Sequence, residues 1–450
     1  MTKRTIRLGA GSAHEGDDLD AAKLLAEKGE LDYIVFDCTS EKAISLALIR
    51  RSNGLPAFDA QLAAKLRAVA PACIRNGTRI IANAGGFDPD GAGMLAAEIC
   101  RELGLKDVKI AYSTGGDVLD QLRRLDPTVI ETGKPVSALG NNVLGALAYG
   151  GTDAIRQALA GGADIVLTQR AGDSEQFLAP MMHEFGWTGQ DWDKIACGLG
   201  IGHLAECAAQ LSGGYFYDPG YKDVPDMHRL GFPIIEMDED GGATISKVAG
   251  TGGVISELTC REQLLYEIGD PKNYVHASGV VDFTTTRVEQ LGPDRVRVDG
   301  TTGRPRTSDA RVALAVREGY MGMSRIVYGG VGCYDKARKA AEMVRGQLRE
   351  RCGVADENMR FDFIGVNALF DWGVDPSTVR EVELRIAGRF MTMEEARKVP
   401  YFGSQLPCNG PAGGAWGRPI DQGGVEEIIT FYSTRLPHSE IHYELKTLVS

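Results

Sequence analysis

No apolar run in this chain reaches the roughly 20 residues a bilayer span needs. The N-terminus, MTKRTIRLGAGSA, has no long apolar stretch of the signal-peptide kind. Positive charge is also in short supply: 49 Lys and Arg face 61 Asp and Glu, for a net charge of −12. No Lys/Arg cluster overrides that balance, which argues against a nucleic-acid surface. The nine cysteines are scattered, odd in number and never in C-x-x-C spacing, so neither a disulfide framework nor a zinc ribbon is expected. Reduced thiols in a cytoplasmic protein fit best. Internal repeats and low-complexity segments are absent too.

What is present is glycine, 57 of 450 residues, well above the average usage of about 7%. Many of these glycines follow predicted strands, where tight turns and close backbone approach need them. The length suits two or three domains. Residues 1–190 alternate strand and helix: TIRLGAGSA, YIVFDCT, RIIANAGG, VKIAYSTGGDV and DIVLTQR read as strands separated by helical segments. The continuous apolar runs are those of buried parallel strands. From 191 to 450 the pattern changes to hairpins, such as FPIIEMDEDGGATISKV turning at Asp240-Gly241, with a long amphipathic helix, CYDKARKAAEMVRGQLRERCG. The expected fold is α/β: an N-terminal doubly wound, mostly parallel sheet, then an α+β region with antiparallel strands.

The densest chemistry lies in GLGIGHLAECAAQ, Gly198 to Gln210. The glycines Gly198, Gly200 and Gly202 are expected to open a helix over 202–212. His203, Glu206, Cys207 and Gln210 then fall on one face. Such a start presents unpaired N–H groups and a positive dipole end to an anion. The competing reading is a surface helix with its polar stripe in water.

Other candidates sit at strand ends, which share one edge in a parallel sheet. Asn83 precedes Gly85-Gly86, Asp117 follows Gly115-Gly116, and Thr168-Gln169-Arg170 leads to Asp173. Arg170 suits a carboxylate or phosphate, with Asp173 orienting it or acting as a base, unless the two form a structural ion pair. Lys247, ahead of Gly250-Thr251-Gly252-Gly253, offers a second anion cradle or a plain hairpin end. The loop Asn409–Trp416, NGPAGGAW, is a backbone cradle or a surface turn. Gly9-Ala-Gly11 with Asp37 outlines a dinucleotide loop, but its third glycine is late, and Asp17 and Asp18 read better as helix caps.

The runs LTQRAGDSEQFLAPMMHEFGWTGQDWDKIACGLGIGHLAECAAQLSGGYF, DVPDMHRLGFPIIEMDEDGGATISKVAGTGG and EQLLYEIGDPKNY, with RLGAGSAHEGDD near the start, closely resemble the AtuA-like family of acyclic-terpene-utilisation proteins. The resemblance covers essentially the whole chain. It implies a place in catabolism of branched acids, where intermediates are dicarboxylates or acyl-CoA thioesters. Many relatives carry an extra C-terminal domain of modest size, and a small accessory subunit in its place is one expectation here. Two departures from the family pattern stand out: Thr168-Gln169-Arg170-Ala171-Gly172-Asp173 replaces T-G-R-V-A-D, and the Gly9–Asp17 loop is two residues longer.

With the resemblance, the expected activity is proton transfer, as hydration, dehydration or isomerisation, on a branched carboxylic acid or acyl-CoA thioester. Glu206, His203 and Asp173 are the catalytic candidates. Arg170, Lys247, Asn83, Gly85, Gly86, Gly200, Gly202, Thr251 and Gly252 are the substrate-binding ones. No metal set and no cofactor is assigned, coenzyme A entering only as part of a substrate. A homo-oligomer is expected, without membrane or nucleic-acid partners. The rival functions are an activating subunit of a two-component enzyme and an NAD-dependent oxidoreductase.

Overall fold

The computed structural model of the chain describes residues 4–371, 373–415 and 424–450. The fold is mixed α/β, in two compact units: Met1–Ala315 with Phe431–Ser450, and Val316–Thr430. The division expected at residue 190 is not where the units part. The reason is sheet continuity, because the hairpin that follows adds directly to the first sheet.

Five parallel strands make the centre of the larger unit: β1 (Thr5–Ser12), β2 (Tyr33–Phe36), β3 (Arg79–Ala82), β4 (Lys109–Thr114) and, after β5 (Val143–Ala148), β6 (Ile165–Leu167), in the order β1-β2-β3-β6-β4. All four residues of β2 are buried, as expected of a strand covered on both faces. Antiparallel strands extend both edges. β7 (Pro233–Asp238) pairs with β1 in the register Leu8↔Ile235, β8 (Ala243–Lys247) pairs with β7, and Glu444–Val449 pairs with β4. The hairpin read from FPIIEMDEDGGATISKV is thus present.

Helices α1 (Leu19–Lys28), α3 (Leu62–Asn76) and α4 (Pro89–Glu102) pack on one another, with α2 (Glu41–Ser52) between the first two in sequence. After the short α5 (Leu119–Leu125), α6 (Asp153–Ala160), α7 (Asp173–Phe185) and α8 (Trp192–Glu206) form a second packed set, followed by α9 (Glu257–Leu265). Caps follow the sequence: Asp18 accepts from the amides of Asp20 and Ala21, and Ser40 from Ala43. The smaller unit is an antiparallel sheet, with Glu381–Phe390 between Met359–Ile364 and residues 320–329. The helix Cys333–Cys352 packs its Ala337, Ala341 and Val344 into the core with Ile326, Leu384 and Ile386. Among the described residues no helix is long and apolar enough to cross a membrane. Trp416, at the end of the Asn409–Trp416 loop, lies outside the described residues.

The glycine segment behaves differently from the expectation. Gly198, Gly200 and Gly202 do not open a helix over 202–212; they lie inside α8, which starts at Trp192 and ends at Glu206. Their amides are spent on the helix, so Gly200 and Gly202 are not an anion cradle. They serve close packing. A Cβ on Gly202 would lie 2.7 Å from the Ser174 carbonyl oxygen and 2.9 Å from its Cα, and one on Gly198 would lie 2.6 Å from Leu178. Two glycines at i and i+4 let α8 press onto α7, while Gly200 makes room for Phe283 and Thr301. Gly9 and Gly11 are likewise packing residues inside β1, beneath Leu25, Leu31 and the Phe36 ring, and not a dinucleotide loop.

Gly202→Ala should therefore cost about 1–3 kcal/mol through overpacking against backbone. Gly346→Ala, in a helix with nothing within 4 Å of the new methyl, should gain about 0.5–1 kcal/mol. Urea unfolding followed by circular dichroism measures both, and equal midpoints for the two variants would contradict the packing account.

Candidate active site

The carboxyl ends of the parallel strands gather polar residues by construction. Asp37 follows β2, Asn83 follows β3, and Thr168-Gln169-Arg170 follow β6. Asp173 is the first residue of α7 and Glu206 the last of α8. The close contact between those helices brings the two carboxyls to the same cleft. Two adjoining cavities, ≈ 440 Å³ and ≈ 270 Å³, share Glu41, Arg170, Asp173, Glu206 and Glu267 as lining.

Arg170 is 4% exposed. It donates to the Thr39 carbonyl, lies 3.2 Å from Asp173 and 3.9 Å from Glu41, and stacks 4.5 Å from the Tyr149 ring centroid. Its Nε is buried without a hydrogen-bond partner, and so is Asp173 Oδ1, whose contact with the guanidinium is not aligned for a hydrogen bond. Burial pushes Asp173 well above the usual carboxylate range; Arg170 opposes this, while Asp37 and Glu206 add to it. Its side chain still shows 30% of its surface, so it faces the cleft. Burial also disfavours ionised Glu41, but Arg170 and the Tyr149 hydroxyl, donating at 2.8 Å, outweigh that and hold it low.

Glu206 is buried, and burial raises it too, with His203 opposing and Asp37 and Glu267 reinforcing. Its position at a helix C-terminus works in the same direction. His203 is 0% exposed. One ring nitrogen, Nε2, lies 3.0 Å from the Gln263 carbonyl and must donate to it. The other, Nδ1, lies 3.1 Å from Glu206 Oε1. A single proton is therefore shared across that contact, held as imidazolium–carboxylate or as imidazole–carboxylic acid. His203 lies behind Glu206 with its ring against Tyr274 and Phe283, and does not line the cleft. Cys207 does line it, but burial, then Glu206 and Glu267, push its thiol up, which removes it as a thiolate nucleophile near neutrality.

Three residues around the cleft hold left-handed backbone without being glycine: Ala208 at φ 40°, Tyr215 at φ 63° and Glu267 at φ 60°. Each such conformation costs on the order of 1 kcal/mol and such residues cluster at functional sites. Among the described residues no three His, Cys, Asp or Glu side chains converge to hold a metal ion.

Several sequence candidates lie elsewhere. Asn83 is 0% exposed and braces the site from behind, donating to Asp37 at 2.7 Å and accepting from the Cys38 amide at 2.6 Å. Gly85 donates to the Thr168 carbonyl, and Gly86 accepts from Gln169, so both are structural. Gln169, where the family pattern has glycine, also accepts from the Gly116 amide at 2.6 Å; its side chain ties two strand-end loops together. Lys247 pairs with Asp294 at 3.0 Å and donates to the Thr251 carbonyl. With Thr251 and Gly252 it forms a closed hairpin end that does not line the cleft. Sequence reasoning missed Glu41, Tyr149, Glu267, Tyr274, His276 and Arg311, all lining the second cavity. Glu41 alone carried a signal, as the first residue of a helix after a strand end.

Beside the cleft, α7 carries Glu175, 0% exposed, which accepts from the Ser278 amide at 2.8 Å and its hydroxyl at 2.5 Å. Burial raises its pKa to about 7 despite those bonds. The unfolded chain loses this proton near 4.5, so between the two values the folded state binds it more tightly. Stability should fall as pH rises through that window, by up to about 3 kcal/mol from this group. Glu175→Gln should flatten the decline, so its Tm advantage over the parent grows from pH 5 to pH 8. A constant Tm difference across that range would count against the shift.

Residues 6–447 match the model of a family described as acyclic terpene utilisation family protein AtuA. Comparison with curated proteins and with solved structures gave no match. With nearly the full length matched, the polar cleft at the carboxyl edge of this sheet is set in a member of the AtuA family, whose proteins are implicated in the catabolism of acyclic terpenes.

Proposed function

We propose that the chain is an enzyme of branched-acid catabolism that moves a proton next to a carboxyl or thioester carbonyl. One observation carries this reading. Two carboxyl groups, Glu206 and Asp173, share a cleft with one buried guanidinium; burial pushes both upward, Asp173 well above the usual carboxylate range, while contact with His203 opposes the rise at Glu206. The larger rise at Asp173 supports it as the proton donor, and the opposing His203 supports Glu206 as the acceptor.

In the forward direction Glu206, ionised through its proton shared with His203, removes a proton from the carbon beside the carbonyl. Arg170, which lines the cleft, sets its guanidinium charge beside the carbonyl or carboxylate oxygen where negative charge develops. Asp173, protonated, delivers its proton to a departing hydroxyl on the next carbon, which leaves as water. If no hydroxyl is present, the proton taken by Glu206 returns at the far end of the conjugated system, giving an isomer. Both routes balance without an oxidant.

Incubating the protein with branched unsaturated acids and their CoA thioesters in D₂O, and following deuterium uptake by mass spectrometry, tests the reading. Glu206→Gln should keep the fold and lose exchange by about 10²–10⁴-fold. Exchange at the parental rate in that variant would remove Glu206 from its role. His203→Asn should act more subtly. Losing the contact that lowers Glu206 should move the rising limb of the pH–rate profile to higher pH, at a reduced plateau; an unmoved limb would show that His203 only fills space.

A further inference from the structure

A larger cavity, ≈ 500 Å³, adjoins the acid cleft and is used by none of the chemistry above. It shares Tyr149, Ala277 and Ala310 with the cleft as a common wall. Its character is different. Where the cleft is ringed by carboxyls, this cavity is lined by two guanidiniums, Arg156 and Arg306, with His438 and the Tyr443 hydroxyl. Arg156 Nε, His438 Nε2 and the Tyr443 hydroxyl are all buried without a hydrogen-bond partner. Those atoms lie behind the cavity surface, so the groups open to a ligand are the guanidinium ends of Arg156 and Arg306, Arg156 being 35% exposed at its side chain.

The charges are open to a ligand. Arg156 has only a long contact, 3.9 Å, with Asp153, whose side chain is 72% exposed, and Arg306 has no ion pair among the described residues. The loop Gly150-Gly151-Thr152 also lines the cavity and leads into α6, whose N-cap Thr152 makes no side-chain cap bond. The first amides of α6 thus add donors and dipole to the two cations. The lining also includes Trp192, 42% exposed, a flat aromatic face.

We propose that this cavity holds the phosphate-bearing end of a two-part substrate, a nucleotide-type carrier whose acyl group passes Tyr149 and Ala277 to reach Arg170 and Glu206. The two-part substrate rests on the proton-transfer reading, but the cavity's ligand class does not. Phosphate oxygens accept from Arg156 and Arg306 together, and an aromatic base suits the Trp192 face.

Isothermal titration calorimetry with free coenzyme A and with inorganic pyrophosphate, on the full chain, tests this. Both probes should bind, and Arg156→Gln/Arg306→Gln should weaken coenzyme A at least tenfold. Arg306→Gln alone, at an exposed site without an ion pair, should weaken it severalfold with the fold intact by circular dichroism. Glu206→Gln should bind coenzyme A as the parent does, and deuterium uptake into a free acid should persist in the arginine variants. Parental affinity in the double variant, or no binding of either probe, overturns the proposal. Binding that depends on the arginines, with no exchange at any acid, leaves this cavity assigned and fells only the proton-transfer reading.

Discussion

The approach of α8 to α7 decides where everything else in the site lies. It is set by Gly202 resting on the backbone of Ser174, with Gly198 on Leu178 one turn earlier. A side chain at Gly202 would force the helices apart, since the obstacle there is backbone and cannot rotate away, whereas at Gly198 it would meet the Leu178 side chain. The consequence is positional. Asp173 opens one helix, Glu206 closes the other, and the contact between them places both carboxyls at one cleft, with Arg170 three residues ahead of Asp173 in the turn from β6.

Burying so many carboxyls around one buried guanidinium, with Arg311 at the more exposed rim, would be costly if all were ionised. The site resolves this unequally. Glu41 stays low beside Arg170 and Tyr149, whereas Asp173 and Glu206 hold their protons past the usual range, Glu206 in a contact shared with His203. His203 is itself fixed by the Gln263 carbonyl and by aromatic rings, so it meets Glu206 and not the cleft. Left-handed backbone at Ala208, Tyr215 and Glu267 adds strain around the same space, which the packed helices and the sheet edge hold in place.

The cavity beyond Tyr149 and Ala277 has the opposite electrostatic sense, cationic where the cleft is acidic. Tyr149, Ala277 and Ala310 thus line both an acidic cleft and a cavity that carries Arg156 and Arg306. This sharing follows from the chain's route: the turn after β5 carries Tyr149 on to Gly150, Gly151 and α6, so one short segment lines both spaces.

The sequence alone determined the alternation of parallel strands and helices, because apolar runs and cap residues such as Asp18 and Ser40 act locally. It determined the hairpin at Asp240-Gly241 and the long helix Cys333–Cys352 for the same reason. It also carried Arg170 and Asp173, whose place after a parallel strand fixes the edge they occupy. The family pattern was legible along nearly the whole chain. What it left open was depth and partnership. The triple-glycine segment reads equally as a helix start or a packing face, and only the presence of α7 at contact distance made it the second. Lys247 offers a free cation until Asp294, distant in sequence, takes it up. His203 and Glu206 share a helical face, but which one meets the cleft depends on Gln263, Tyr274 and Phe283 closing around the imidazole. Glu267 and Tyr149 had no local signal at all. Local patterns follow from neighbouring residues, whereas burial, charge state and cavity walls are set by segments that meet only once the chain has folded.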